Sequence, residues 1–388
     1  MNKKAFLIFF SIVLTFYALV NLYIFKHGFN ALPAGSSIRT YYAIIFAFLF
    51  ISYIAGRILE RFHLFRIAKI FIITGSFWLA AMAYFFFMVL IIDIIRLFII
   101  VFHFIPSIIS EDYQTTKLIL LIGAISINFI LILSGHLIAL NPKVNVLYLK
   151  INKPFNNMNE LNIVAVSDIH IGTLIAKRRV ARLAKRINAL KPDIVLFVGD
   201  VIDEVLTHVV YYNMGEPLKT ISAPLGVYAV TGNHEYIGGG EEAVAYLQTL
   251  NIRVLRDETV KIKDAFYIIG REDRDKLRFA GEKRMDIASL MKDVDLTLPT
   301  ILLDHQPFHL HEAAEHNIDL QLSGHTHHGQ LFPFNLITKK IYEVSCGYKR
   351  IKGTHFYVSN GYGTWGPPVR LFKRPEIVNI KLSSSSII

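Results

Sequence analysis

Four long stretches in the first 140 residues carry almost no charge, and they constrain this chain more than any other feature. Ala5 to Phe25 is uncharged throughout, and about 20 apolar residues in a helix cross a ~30 Å hydrocarbon layer while satisfying their own backbone hydrogen bonds. Ile38 to Ala55, Ile70 to Ile92 and Leu118 to Leu140 repeat the pattern. The first stretch is too long for the apolar core of a cleaved signal peptide, and further runs follow it. Residues 1 to 140 are therefore predicted to form a transmembrane region of about four helices. This region accounts for the unusually high hydrophobic content, 53% of the 388 residues.

Basic residues suggest an orientation. Lys3 and Lys4, then Arg57, Arg61, Arg66 and Lys69, then Lys143, Lys150 and Lys153 fall on one side of a four-span arrangement, which the positive-inside tendency makes cytoplasmic. Ile94 to Ile109 is apolar but interrupted by Asp93, Arg96 and Pro106, and reads as an interfacial or re-entrant piece. A fifth crossing there would move the rest of the chain outside. Asp93 and Arg96, spaced i, i+3, are expected to pair at the membrane boundary.

Formal net charge is +11, with 10 Lys+Arg against 4 Asp+Glu up to residue 140 and 31 against 26 beyond it. Without a concentrated basic arm, no nucleic-acid partner is expected. The distribution suits a lipid bilayer and a phosphate-bearing substrate. The single cysteine, Cys346, excludes an intramolecular disulfide and reads as a small buried residue.

After Asn141-Pro142 the pattern changes. Residues 141 to 159 read as a linker, with Asn156, Asn157 and Asn159 as its polar part. Short β-rich runs then alternate with helical ones: a strand at Ile163 to Val166, a helix at Leu174 to Leu190, and a strand at Ile194 to Val198. Further strands are predicted at Val227 to Val230, Phe266 to Ile269, Ile301 to Leu303, Leu320 to Leu322, Phe356 to Val358 and Ile377 to Ile380. Such alternation predicts an α/β domain over residues 160 to 382. Arg271 to Arg284 reads as an exposed charged loop or cap, and residues 383 to 388 as a frayed tail.

Several strand-like runs end in polar clusters. These are Asp168-Ile169-His170, Gly199-Asp200-Val201-Ile202-Asp203, Gly232-Asn233-His234-Glu235, Asp304-His305 and Gly324-His325-Thr326-His327. Ligands collect at the carboxyl ends of strands in open α/β sheets, and these residue types are the donors that two adjacent divalent cations need. Two cations ~3.5 to 4 Å apart offset the charge of a phosphate ester and hold its reacting oxygens in line. Mixed His, Asn and carboxylate donors suit Mn²⁺ first, then Fe or Zn²⁺, over Ca²⁺.

The ordered set D-x-H, G-D-x-x-D, G-N-H-[DE], H, G-H-x-H resembles the calcineurin-like metallophosphoesterase superfamily over roughly residues 160 to 382. Ser323 to His327, Gly329-Gln330 and the closing Gly361-Tyr362-Gly363 to Pro375-Glu376-Ile377 look closest to its membrane-associated bacterial branch. That resemblance implies a two-sheet sandwich flanked by helices. It also implies hydrolysis of phosphate esters or diphosphates of lipid and cell-envelope metabolites, such as UDP-diacylglucosamine. Carried over, it assigns Asp168, His170, Asp200 and His327 to a first metal, and Asp200, Asn233, His305 and His325 to a second. It makes His234 the catalytic histidine and Asp203 the acid that orients it. His328 stands where relatives usually carry glycine.

Glu235 reads as a brace for its loop. His208, His309, His311, His316 and His355 read as solvated or packing residues, and Arg370 as a phosphate contact. The expectation is a multi-pass membrane phosphoesterase with two divalent ions and a cytoplasmic catalytic domain, acting on a lipid or envelope precursor. Two alternatives are an anchored esterase for soluble or nucleic-acid phosphodiesters, and a transport or scaffold protein with a regulatory metal-binding domain.

Overall fold

A computed structural model describes residues 3–102, 112–156 and 158–385. The chain divides into two compact units, Met1–Leu137 with Gly366–Val369, and Ile138–Trp365 with Arg370–Ile388.

In the first unit, four helices are long and apolar enough to cross a membrane. They are α1 (Lys3–Ala31), α2 (Ile38–Arg61), α3 (Phe65–Val101) and α4 (Tyr113–Ala139). Short connections make α1, α2 and α3 antiparallel neighbours. Helices α2 and α3 approach so closely that a Cβ on Gly75 would collide with the Tyr53 backbone, the use of small residues expected between membrane helices. Trp78 donates to Asn21 Oδ1 (3.0 Å), which satisfies both polar groups inside the bundle.

The interfacial piece expected from Ile94 is, as far as Val101, a continuation of α3, because its apolar run never breaks helical geometry. Its remainder falls in residues 103–111, outside the described residues. Asp93 does not pair with Arg96 as expected. Tyr23 donates to its carboxylate (2.6 Å) and His27 Nε2 lies 3.2 Å from it, since both project from the neighbouring α1.

The second unit contains two mixed six-stranded sheets. In the first, the order is β1 (Lys143–Ile151), β12 (Glu376–Ser384), β2 (Glu160–Val166), β3 (Ile194–Val198), β4 (Val227–Val230) and β5 (Arg253–Val254). The second runs β10 (Gly347–Ile351), β11 (Thr354–Val358), β9 (Leu320–Ser323), β8 (Thr300–Leu303), β7 (Phe266–Gly270) and β6 (Glu258–Ile262).

Alternation along β2 explains the layering, because successive side chains point to opposite faces. Leu161, Ile163 and Ala165 join Ile268, Leu303 and Leu322 in one buried core. Val164 and Val166 join Val180, Leu183 and Ile187 of helix α5 (Lys177–Ala189) in a second. On the other sheet, Ile269, Leu302 and Phe356 pack with Leu310 and Ala313 in a third. Strands buried on both faces read as the continuous apolar runs seen in β3 and β8.

Two boundaries differ from expectation. The stretch expected as a linker carries β1, which pairs in parallel with β12 from Lys143 to Ile151. The supposed tail continues β12 through Ser384, because Ser383 and Ser384 lie opposite Lys150 and Ile151. Asn157 and Ser386 lie outside the described residues.

Candidate metal centre

Five loops leaving β2, β3, β4, β8 and β9 converge, and the backbone is bent to let them. Asp168, His170, Asp200, His325, His327 and His328 all have left-handed φ, between 45° and 69°. Residues other than glycine hold that region at a cost of about 1–3 kcal/mol each, and such strain concentrates at functional sites. Gly199 (φ 78°) precedes Asp200 where a Cβ would collide with the His305 ring, so no side chain fits there.

Asp200 is the most heavily held residue. Its Oδ1 accepts from the His234 amide (2.9 Å), while its Oδ2 lies 3.1 Å from His305 Nε2 and 3.9 Å from His170 Nε2. Glu235 accepts from the amides of Asp200 (3.0 Å), Ile202 (2.9 Å) and Gly232 (2.7 Å), which locks the Gly199 and Gly232 loops together. Asp168 accepts from the His325 amide through both oxygens (3.0 and 3.1 Å).

Among the described residues, three groups bring ligand atoms within 4.8 Å of one another: Asp168 with His170 and His327, Asp200 with His305 and His325, and His170 with Asp203 and His234. Asn233 Oδ1 joins the second group at 2.8 Å from His325 Nδ1. All nine residues singled out from the sequence thus lie in one cluster. His234 Nδ1 is 3.3 Å from Asp203 Oδ1.

The donors fit a cation on physical grounds. His305 Nδ1 donates to the Val198 carbonyl (2.7 Å), so the neutral ring presents a bare lone pair at Nε2, facing the Asp200 carboxylate. Two acceptors 3.1 Å apart in a buried site require positive charge between them. In the bare chain a proton supplies it: burial opposes charging of His305, but Asp200 outweighs burial and raises its pKa well above the usual value. A divalent cation would take that proton's place.

Other rings are held neutral, as ligands must be. Burial, then the nearby His234, lowers His170 to about 4. Burial, then His305, lowers His325 to about 3. Burial, then Arg370, holds His327 well below the usual range. For His234 burial acts the same way, but Asp200 and Asp203 outweigh it and push the pKa up to about 9.

Arg370 is wholly buried, so it does not have the open phosphate-facing position expected of it. It donates to Gly363 O (2.7 Å from Nη2) and to His327 Nδ1 (2.9 Å). A guanidinium only donates, so His327 Nδ1 accepts and its proton sits on Nε2, 3.1 Å from His170 Nε2. A cation on that nitrogen would move the proton to Nδ1 and leave Arg370 to the Gly363 carbonyl.

Arg271 to Arg284 is exposed over residues 277–283, as its charges suggest, but not at its ends. Arg271, Glu272 and Asp273 are buried, and Arg271 and Arg284 clamp Asp304 at 3.3 and 2.8 Å. Asp273, missed from the sequence, accepts from Gln306 (2.9 Å) beside His305, and burial pushes its carboxyl up to about 7. Arg274 stacks over Phe308 at 4.3 Å with its Nη1 buried and without a hydrogen-bond partner. Phe308 touches Tyr342 (4.8 Å), whose ring is 6.2 Å from His325.

Four other histidines have packing partners. His328 meets Ser345 Oγ (2.9 Å), and His355 meets Lys150 O (3.0 Å) and Tyr348 (2.9 Å). His208 is buried against Thr173 (2.8 Å), and His316 meets Glu312 O (2.8 Å). Cys346 is half-buried, not fully buried as expected.

A family model described as calcineurin-like phosphoesterase matches residues 161–329. A metallophosphoesterase of Campylobacter jejuni is 31% identical, over 97% of this chain and 98% of its own length. This chain belongs to the calcineurin-like phosphoesterase family. A Helicobacter pylori metallophosphoesterase is 37% identical over 58% of this chain, which spans only 60% of that relative's length. A transmembrane protein with a metallophosphoesterase domain from Danio rerio is 32% identical, over 71% of this chain and 64% of its own. A calcineurin-like phosphoesterase fold implies divalent metal ions, and the four apolar helices make this one a membrane protein.

Proposed function

We propose that this chain is a membrane-anchored hydrolase of a phosphate ester or pyrophosphate, using two divalent ions, Mn²⁺ ahead of Fe or Zn²⁺. The observation that carries the reading is the shared Asp200 Oδ2, near His305 on one side and His170 on the other. Asp168, His170, Asp200 and His327 would hold one ion, and Asp200, Asn233, His305 and His325 the other. Bound there, two cations offset the phosphate's charge and acidify the attacking water.

The chain's own residues supply positioning and proton transfer. His234 Nδ1 is turned toward Asp203, so Nε2 is the atom that hands a proton to the leaving oxygen. With cations at Asp200, Asp203 is the neighbouring carboxylate that would keep that proton on His234. Asp203 fixes the tautomer, and Glu235 holds the loops without touching the reaction. Arg274, with its buried free Nη1, contacts a second anionic group of the substrate.

Membrane anchoring favours a substrate presented at the bilayer, such as the pyrophosphate of UDP-diacylglucosamine, with residues 160 to 382 as the hydrolytic unit on the cytoplasmic side. Side-by-side hydrolysis tests this in detergent with Mn²⁺. UDP-diacylglucosamine should release UMP at least about tenfold faster than a short-chain analogue is cleaved. Equal rates on both would favour an anchored esterase for soluble phosphodiesters. A reporter fused after Ile388 and active only outside the cell would overturn the sidedness.

A further inference from the structure

The membrane unit contains its own candidate site. A cavity of about 1250 Å³ lies among α1, α2, α3 and α4, at the end of the bundle where α1 turns into α2 and where α4 begins. Much of its wall is apolar, including Ile24, Phe46 and Leu120, but Lys26, Arg39, Arg96 and Lys117 also line it.

Among the described residues, no carboxylate neutralises these cations. Asp93, the cavity's acid, is engaged by Tyr23 and His27. Arg39 donates to the Leu32 carbonyl (2.8 Å) and lies over Phe29 (4.8 Å). Lys117 donates to the Asn30 carbonyl (3.3 Å), and both Lys117 and Arg96 lie over the Tyr113 ring (4.9 and 6.0 Å). Among the described residues, none of these four cations lies within ion-pair distance of a carboxylate. Carbonyls and ring faces orient a cation but leave its charge available, and charge at an apolar wall is costly unless an anion meets it.

Orientation in the membrane does not account for these residues. The bundle's other end already carries Lys3, Lys4, Arg57, Arg61, Arg66 and Lys69. A large apolar wall beside a cluster of cations matches an amphiphile with an anionic head. Helix α4 joins the bundle through polar contacts such as Gln114 to Ala31 O (2.9 Å) and Asn128 to Ala81 O (2.9 Å).

We propose that this cavity binds one anionic phospholipid, with its phosphate at Arg39, Arg96 and Lys117 and its acyl chains along the apolar wall. The site is separate from the hydrolytic reading and is tested without any hydrolysis. Full-length protein would be purified in mixed micelles of phosphatidylglycerol and phosphatidylcholine, and retained lipid identified by native mass spectrometry. Wild type should retain phosphatidylglycerol over phosphatidylcholine by about tenfold or more. The triple change Arg39→Gln, Arg96→Gln, Lys117→Gln should abolish that preference, and Lys117→Gln alone should weaken it. Lys69→Gln, at the opposite end of α3, should leave it intact. Equal retention of the two lipids by wild type, or an unchanged preference in both cavity variants, would overturn the proposal. So would displacement of the lipid by millimolar inorganic phosphate, which would mark a site for the free ion.

Discussion

His305 Nε2 lies 3.1 Å from Asp200 Oδ2, with its other nitrogen committed to the Val198 carbonyl. An unprotonated ring and a carboxylate cannot rest at that separation without positive charge between them, so the pair is built around a proton or a cation. The consequences can be measured.

Metal-free protein should lose stability as pH rises from about 7 to 9. His234 is raised from 6.5 to about 9, and His305 moves in the same direction. A histidine with a raised folded pKa stabilises fully below its unfolded value and loses that contribution as pH rises through the folded one. The rings with lowered pKa are already neutral in both states above about 7, so they do not offset the loss. Cations at Asp200 cancel the first charge that raises both, leaving Asp203 and Glu204 to act on His234, so the Mn²⁺-loaded protein should lose less stability over the same range. Thermal unfolding of both forms across this range is the check. A metal-free midpoint that rises with pH would contradict it.

Glu235→Ala should destabilise the fold and weaken metal retention together. Three buried amides lose their acceptor, and each unsatisfied donor costs about 1–3 kcal/mol. Glu235→Gln, which keeps one acceptor oxygen, should fall between the alanine variant and wild type in unfolding midpoint. Unchanged midpoints would show that water replaces the brace.

Arg274→Ala should raise KM about tenfold while changing kcat less, because the guanidinium acts on binding and lies beyond the metal donors. Arg274→Lys should recover only part, since an ammonium lacks the planar fork. Steady-state kinetics on a diphosphate substrate and on a simple monoester separate the cases. The loss should appear with the diphosphate only.

Phe197→Ala should cost about 3–5 kcal/mol. The side chain is wholly buried on the central strand β3, one residue removed from the Gly199-Asp200 turn. Denaturant unfolding of the detergent-solubilised chain gives the value.

Much of the fold and most of the candidate metal centre are legible in the amino-acid sequence. Strands such as Ile194–Val198 are continuous apolar runs ended by glycine or a polar cluster, so both the strand and the position of Asp200 can be read directly. Strand β1 is hidden because its alternating Lys143–Ile151 pattern leaves one face exposed, and at a sheet edge it resembles a polar connector. Asp273 is hidden for a different reason. Charges read as solvated unless their partners are known, and Gln306, which donates to the Asp273 carboxylate, lies far away in sequence, as does Asp304, the partner of Arg271. Likewise the partners of Asp93, Tyr23 and His27, are brought near only by packing.

The most direct test of the shared carboxylate is metal content per chain, measured on purified full-length protein by mass spectrometry of the ions. Wild type should hold about two divalent ions, Asn233→Ala about one, and Asp200→Asn close to none, because that single change removes a ligand from both sites. Two ions retained by a folded Asp200→Asn protein would contradict a centre organised around Asp200.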